Sequence, residues 1–278
     1  PCGIVSPEYF DDKELGFLKS FTAGFLTTCG LKAAGAPCEY EGTFYGLHGN
    51  LSHIPAEEVS AVIEENGDSP CAVMKGKVRD AVIFGDKLCL EREIRCSYKE
   101  RKITLKDRVT NEGFKRVRQM ILYHCNIGYP VLSPDSEIFI PALETKARNV
   151  HAQEGIDSWM KVQEADADYE EMCYYHKLKP DEKNHSVAAI YNPDLDLGIA
   201  IEIDLSTLDH FVQWKMMGAG DYVMGLEPSN STIDGIDDAV KNGSMKYLEP
   251  GETREYNLTF HILKGRKEFE ELKKRTEK

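Results

Sequence analysis

No stretch of the 278-residue chain approaches the unbroken apolar length that a membrane-crossing helix needs. The N-terminus also lacks the basic-then-apolar pattern of a secretion signal, and the chain begins at Pro1 rather than Met. Eight cysteines are present (Cys2, Cys29, Cys38, Cys71, Cys89, Cys96, Cys125 and Cys173), yet none forms a C-x-x-C pair or a Cys/His cluster with zinc spacing. Reduced, buried thiols in a cytoplasmic protein are therefore expected, with no bound metal. Basic residues are in the minority: 34 Lys and Arg against 47 Asp and Glu leave a net charge of −13. No Lys/Arg-rich stripe offsets this, which argues against nucleic acid as a partner. The acidic surface favours solubility and does not select a substrate. The triplets Asn230-Ser231-Thr232 and Asn257-Leu258-Thr259 would carry glycans only in a secreted protein.

Helical periodicity is scarce; the prevailing rhythm is two. Tyr256, Leu258, Phe260 and Ile262 alternate with Asn257, Thr259 and His261, and Ile199, Ile201 and Ile203 with Ala200, Glu202 and Asp204. Ile94, Cys96 and Tyr98, then Ile103 and Leu105, form a further pair of runs around Lys99-Glu100-Arg101. Such alternation marks strands with one face on a core, as in antiparallel sheets. Turn signals fall between them: Asn66-Gly67, Asn111-Glu112-Gly113, Asn192-Pro193-Asp194 and Pro250-Gly251-Glu252. The pattern predicts an all-β sandwich or barrel formed as one domain over residues 1–278. Helix is expected only in short pieces, as one turn at Pro55–Glu58 and as a charged terminal helix over Lys267–Arg275 with Phe269 and Leu272 facing inward.

Three segments break the alternation and combine glycine or proline with ionisable groups. They are Tyr45-Gly46-Leu47-His48-Gly49-Asn50, Leu122-Tyr123-His124-Cys125-Asn126-Ile127-Gly128-Tyr129-Pro130 and Met224-Gly225-Leu226-Glu227-Pro228-Ser229-Asn230. Punctuated backbone of this kind aims polar side chains into a cleft at strand ends. Taken singly, each has a plainer account: a hydrogen-bonded structural histidine for His48 or His124, and an exposed turn carboxylate for Glu227.

Together the three segments resemble the galactose mutarotase (aldose 1-epimerase) superfamily, and most closely its bacterial aldose 1-epimerase-like branch. Leu47-His48-Gly49 is similar to the element that follows a glycine-rich hairpin in mutarotases. Tyr123-His124-Cys125-Asn126 resembles the histidine motif that supplies the acid, and Gly225-Leu226-Glu227-Pro228 the late motif that supplies the base. The resemblance extends from about Phe21 to Leu263, and Leu26–Leu31 and Gln213–Gly218 look typical of the bacterial branch. It implies an antiparallel β-supersandwich and an isomerase that interconverts sugar anomers. In that reaction a base takes the anomeric hydroxyl proton while an acid protonates the ring oxygen, with no cofactor or metal.

Carried over residue by residue, the resemblance implies Glu227 as base and His124 as acid. His48 would hold a sugar hydroxyl and charge near the ring oxygen. His176, within Tyr174-Tyr175-His176, and Asn126 would add sugar contacts, and Trp214 and Lys215 would line the cleft. Glu227, His124 and His48 are expected around one open cleft. A sugar-sized gap should separate the Glu227 carboxylate from the His124 imidazole, and burial should raise the proton affinity of Glu227. Two departures from the family stand out. The acid motif has a shorter spacing than in galactose mutarotases, and the N-terminal strands of the family, with their arginine-bearing segment, are not found before Phe21.

Two other functions fit the same segments. One is a non-catalytic sugar-binding or sensor protein of the same fold, which would need neither a buried carboxylate nor an acid opposite it. The other is an epimerase of phosphorylated sugars, for which Arg116 and Arg118 are the nearest paired arginines, although both alternate with Val117 as on a solvated face. The expected partner is a small-molecule sugar, with no nucleic acid and no membrane, and a homodimer is left open.

Overall fold

The computed structural model describes residues 11, 16–21, 24–65 and 69–277; Cys2 and the Asn66-Gly67 turn lie outside the described residues. Two large sheets carry the architecture. The first contains seven strands: β1 (Leu26–Leu31), β8 (Val117–Gly128), β10 (Ala142–Ala147), β11 (Met172–Leu178), β14 (His210–Met217), β15 (Tyr222–Ser229) and β16 (Lys246–Leu248). Their order is β1-β8-β15-β14-β11-β10, with β16 pairing the start of β8. The second contains eight: β4 (Glu57–Glu64), β5 (Cys71–Ala81), β6 (Lys87–Ser97), β7 (Lys102–Asn111), β9 (Glu137–Phe139), β12 (His185–Asn192), β13 (Leu197–Asp204) and β17 (Thr253–Lys264). Here the order is β4-β5-β6-β7-β17-β13-β12-β9. A two-stranded hairpin of β2 (Cys38–Tyr40) and β3 (Thr43–Tyr45) stands apart. Every ladder among the described residues is antiparallel; a single parallel bridge joins Asp166 and Gly218.

The alternating runs form the main core where the sheets face each other. Tyr256, Leu258 and Phe260 of β17 and Ile201 and Ile203 of β13 meet Ile121, Tyr123, Cys125 and Leu226 of the first sheet. Each such side chain removed from water contributes about 1.5–3 kcal/mol, so this interface dominates the stability of the fold. At Ile262 the parity shifts, and Leu263 is the buried residue instead, packed outside the second sheet. Covering it there is α4 (Arg266–Glu277), whose Phe269 and Leu272 point inward as the sequence predicted. The run Ile94, Cys96, Tyr98 departs from expectation: Cys96 and Tyr98 are exposed, and Tyr98 lies beyond the end of β6 at Ser97. The helical turn expected at Pro55–Glu58 is also displaced. A 3-10 turn occupies Leu51–His53, and Glu57 already starts β4.

Short helices α1 (Phe17–Ser20), α2 (Val150–Glu154) and α3 (Ile236–Lys241) lie in connecting segments. Of these, α3 packs on the outer face of the first sheet, over Met120, Leu122 and Val212, through Ile236 and Ala239. Among the described residues no helix is long and apolar enough to cross a membrane. All seven described cysteines are free.

Candidate functional site

The outer face of the first sheet carries the site, and strand register assembles it. Leu226 pairs with Cys125 and Ser229 with Leu122, so Glu227 and His124 stand directly opposite each other on β15 and β8. The same row continues to Thr27 of β1 and to Val212 of β14 and Tyr175 of β11. The next row on this face holds Asn126, Gly225, Trp214 and Cys173. Opposed residues on neighbouring strands have Cβ atoms roughly 4.5–5.5 Å apart, which brings their side chains into contact.

His124 Nε2 accordingly lies 3.2 Å from Glu227 Oε1. This overturns the expected sugar-sized gap: directly opposed side chains leave no room for a hexose between them. The contact is off the hydrogen-bonding direction, and Glu227 Oε1 has no hydrogen-bond partner. Gly225 makes the arrangement possible, since a Cβ at that position would fall 2.2 Å from Oε1. Glu227 is only 2% exposed. Burial pushes its carboxyl up to about 8, the nearby Glu171 adds to the rise, and Arg148 partly offsets it. Burial lowers His124 to about 4 against an opposing hydrogen bond with Asn126. Both shifts favour the uncharged pair, a carboxylic acid beside a neutral imidazole.

His48 reaches the site from a turn closed by Gly49 N–H donating to Gly46 O, with its own φ at 62°. Gly49 follows at φ 68°, and a Cβ there would lie 2.3 Å from Ala33 O. The His48 ring sits edge-on to His124 at 5.5 Å, and its buried Nδ1 has no partner. Burial first, then His124 and Arg148, hold His48 well below the usual histidine range. Trp214 packs edge-on to His124 at 5.2 Å and donates its indole N–H to Glu171 Oε2 at 2.7 Å.

These groups surround a cavity of about 250 Å³. Phe17, Phe21, Leu47 and Ile233 give it apolar walls, while Arg148, Glu171 and Cys173 give it a polar side. Arg148 is held through Nε by Asp234 Oδ1 at 2.7 Å, and Tyr175 donates to the other oxygen of Asp234 at 2.5 Å. Arg148, Glu171 and Phe17 were not singled out from the sequence, for they lie in connecting segments without a motif. A cation or carboxylate flanking a predicted strand was the only available signal.

The structure brings His48, His124, Glu227 and Trp214 to one cavity and places three other expected residues differently. His176 is on the opposite face of its strand, where Thr145 Oγ1 at 3.0 Å and Gln213 Oε1 at 3.2 Å occupy its two ring nitrogens. Lys215 is fully buried on that same inner face, donating to the carbonyls of Ser158 at 3.2 Å and Lys161 at 2.8 Å. The reason is parity: Lys215 follows Trp214, and only one of two adjacent strand residues can face the cavity. Asn126 is on the correct face but is spent on His124 and on the carbonyl of Gly24. Arg116 and Arg118 are engaged elsewhere, by Glu249 and Glu41. Among the described residues no group of three or more His, Cys, Asp or Glu is arranged to hold a metal ion.

Comparison with solved structures gives the same architecture. A protein named "putative aldose 1-epimerase" from Klebsiella pneumoniae subsp. pneumoniae superposes with a TM-score of 0.93 at 25% identity, over 99% of this chain and 72% of that one. A galactose mutarotase-like protein from Clostridium acetobutylicum gives 0.62 at 13% identity, over 86% and 79% of the two chains. Galactose 1-epimerase from Lactobacillus acidophilus gives 0.58 at 10%, over 94% and 84%. The last two likenesses concern the fold alone. No functionally curated protein matches the chain. A family model matches residues 1–262, so this galactose mutarotase-like β-sandwich belongs to the family described as Domain of unknown function (DUF4432).

Proposed function

We infer that the protein is an aldose 1-epimerase-type isomerase, in which Glu227 and His124 exchange protons with a bound sugar. The observation that carries this is the buried pair itself. A carboxyl and an imidazole 3.2 Å apart, of opposite pKa displacement, face a cavity with an unpartnered oxygen on the carboxyl. Two groups pushed apart in proton affinity are what simultaneous proton removal and delivery require.

Ring opening of an aldose takes the proton from the anomeric oxygen O1 and adds one to the ring oxygen O5. Both oxygens are bonded to C1, so a donor and an acceptor in contact address them from one side, and no sugar need lie between them. Proton transfer by positioned groups of this kind contributes about 10²–10⁴-fold to rate. His48, with its free buried Nδ1, meets a sugar hydroxyl, and Trp214 offers its face to the sugar C–H surface. Rotation about C1–C2 and the reverse transfers close the other anomer.

The experiment is anomer-exchange NMR over a panel of hexoses, deoxysugars and uronates. Exchange should be accelerated for at least one sugar and abolished in Glu227→Gln, which should still bind that sugar because its shape is kept. Sugar binding without accelerated exchange in the wild type would reject turnover and leave a binding protein.

A further inference from the structure

The tautomer of His124 is determined by its neighbour on the same strand face. Asn126 Nδ2 lies 3.2 Å from Gly24 O and 3.3 Å from His124 O, two carbonyl oxygens that can only accept. The amide therefore directs its NH₂ at them, which leaves Oδ1 as an acceptor. His124 Nδ1 is 2.7 Å from that Oδ1, so Nδ1 must carry the hydrogen. A neutral imidazole protonated at Nδ1 has a bare lone pair at Nε2, and Nε2 is the atom that meets Glu227 Oε1 at 3.2 Å.

We propose that Asn126 is a positioning residue that sets the direction of proton transfer, making His124 Nε2 the acceptor of the pair and Glu227 the group that carries the proton to be delivered. This inverts the division of labour implied by the resemblance, and it rests on the proposed isomerase activity for its functional part. In the ring-opening step the O1 proton passes to His124 Nε2 and the C1=O1 double bond forms. The C1–O5 bond breaks with its electron pair going to O5, and O5 takes the Glu227 carboxyl proton. The site then holds an imidazolium beside a carboxylate, and closing the ring returns both protons.

The surroundings support an uncharged resting pair. Glu171 and Arg148 face Glu227 from the ends of β11 and β10, the one disfavouring and the other favouring its ionisation. His48 and Arg148 lie across the cavity, and the thiols of Cys29 and Cys173, on the same sheet face as Glu227, have their protons held by burial. Arg148 is already paired with Asp234, and no other cation is placed to compensate a Glu227 carboxylate among the described residues lining the cavity.

The pH dependence of the rate does not separate the two assignments, because the neutral pair and the ion pair contain the same number of protons. The ring nitrogens do separate them. In the wild-type protein with ¹⁵N-labelled histidine, long-range ¹H–¹⁵N correlation at neutral pH should show His124 neutral and protonated at Nδ1. An Nε2–H tautomer or an imidazolium would overturn the proposal, and no variant is needed to obtain either result. Asn126→Asp should place a carboxylate against Nδ1–H and raise the His124 titration from about 4 by about 1–3 pH units, so that at about pH 5 the ring is held largely as imidazolium. With Nε2 then occupied, kcat at about pH 5 should fall by up to about 10²-fold relative to the wild type at the same pH, with little change in KM. An Asn126→Asp protein with the wild-type histidine titration and kcat would overturn the proposal as well. Absence of anomer exchange together with the Nδ1–H tautomer would remove the isomerase function and leave the proton polarity of the pair standing.

Discussion

Acidification should weaken the fold through His176, and the size of the effect follows from its surroundings. His176 is 4% exposed, and both ring nitrogens are engaged, by Thr145 and Gln213. Burial lowers it from 6.5 to about 4, the bond to Gln213 opposing the shift. The unfolded chain therefore binds a proton there at a pH where the folded chain does not. The stability this group contributes is complete above pH 6.5 and is lost as the pH falls through about 4. A displacement of 2.5 units at 1.36 kcal/mol per unit amounts to about 3 kcal/mol in full, and about 2 kcal/mol between pH 7 and 5. Urea denaturation followed by circular dichroism at pH 7, 6 and 5 would measure it, in the wild type and in His176→Gln. Carboxylates titrate equally in both proteins, so the difference isolates the histidine. Stability should fall more steeply in the wild type, and the gap between the two should narrow by about 2 kcal/mol over that range. Parallel pH dependences would refute the account of His176 as a buried neutral residue.

Further outcomes follow from other contacts. Gly225→Ala should displace the Glu227 carboxylate and lower anomer exchange by up to about 10²-fold with little change in melting temperature, because only a flexible side-chain end must move; full activity would show that the carboxylate position is not critical. Trp214→Phe removes the indole N–H bond to Glu171 and should raise KM more than it lowers kcat, read from exchange rates against sugar concentration. Asn230 is fully buried and accepts from Ile121 N while donating towards Gln119 and Tyr256. Asn230→Ala should therefore cost about 3 kcal/mol or more in chemical denaturation, since several buried groups lose their partner at once.

Alternation made the sheets legible in the sequence, and punctuated segments made His48, His124 and Glu227 legible. What alternation does not reveal is which of two adjacent residues faces the cavity. Trp214 and Lys215 are equal candidates by sequence, yet one faces the cavity and the other the interior, where two carbonyls hold its ammonium. His176 failed in the same way beside Tyr175 and Cys173. Ladder register was equally hidden, for no local pattern in β8 or β15 states that position 124 stands opposite 227. The sequence therefore implies a gap between the two groups where the ladder puts them 3.2 Å apart. Arg148 and Glu171 escaped notice because connecting segments have no period against which a functional charge can stand out.

That opposition across one ladder has a consequence for how the site can change. Glu227 and His124, the two side chains proposed to handle protons, belong to the sheet, while His48, Phe17 and Ile233 approach from connecting segments above it. Such segments tolerate substitution and insertion, so the shape of the cavity can change without disturbing the pair. Losing the pair requires far less. One residue added to β15 between Gly225 and Glu227, unless absorbed in a β-bulge, would turn the carboxylate towards the interior. The spacing Gly225-Leu226-Glu227 is thus a sharper test for the proposed pair than overall similarity of fold.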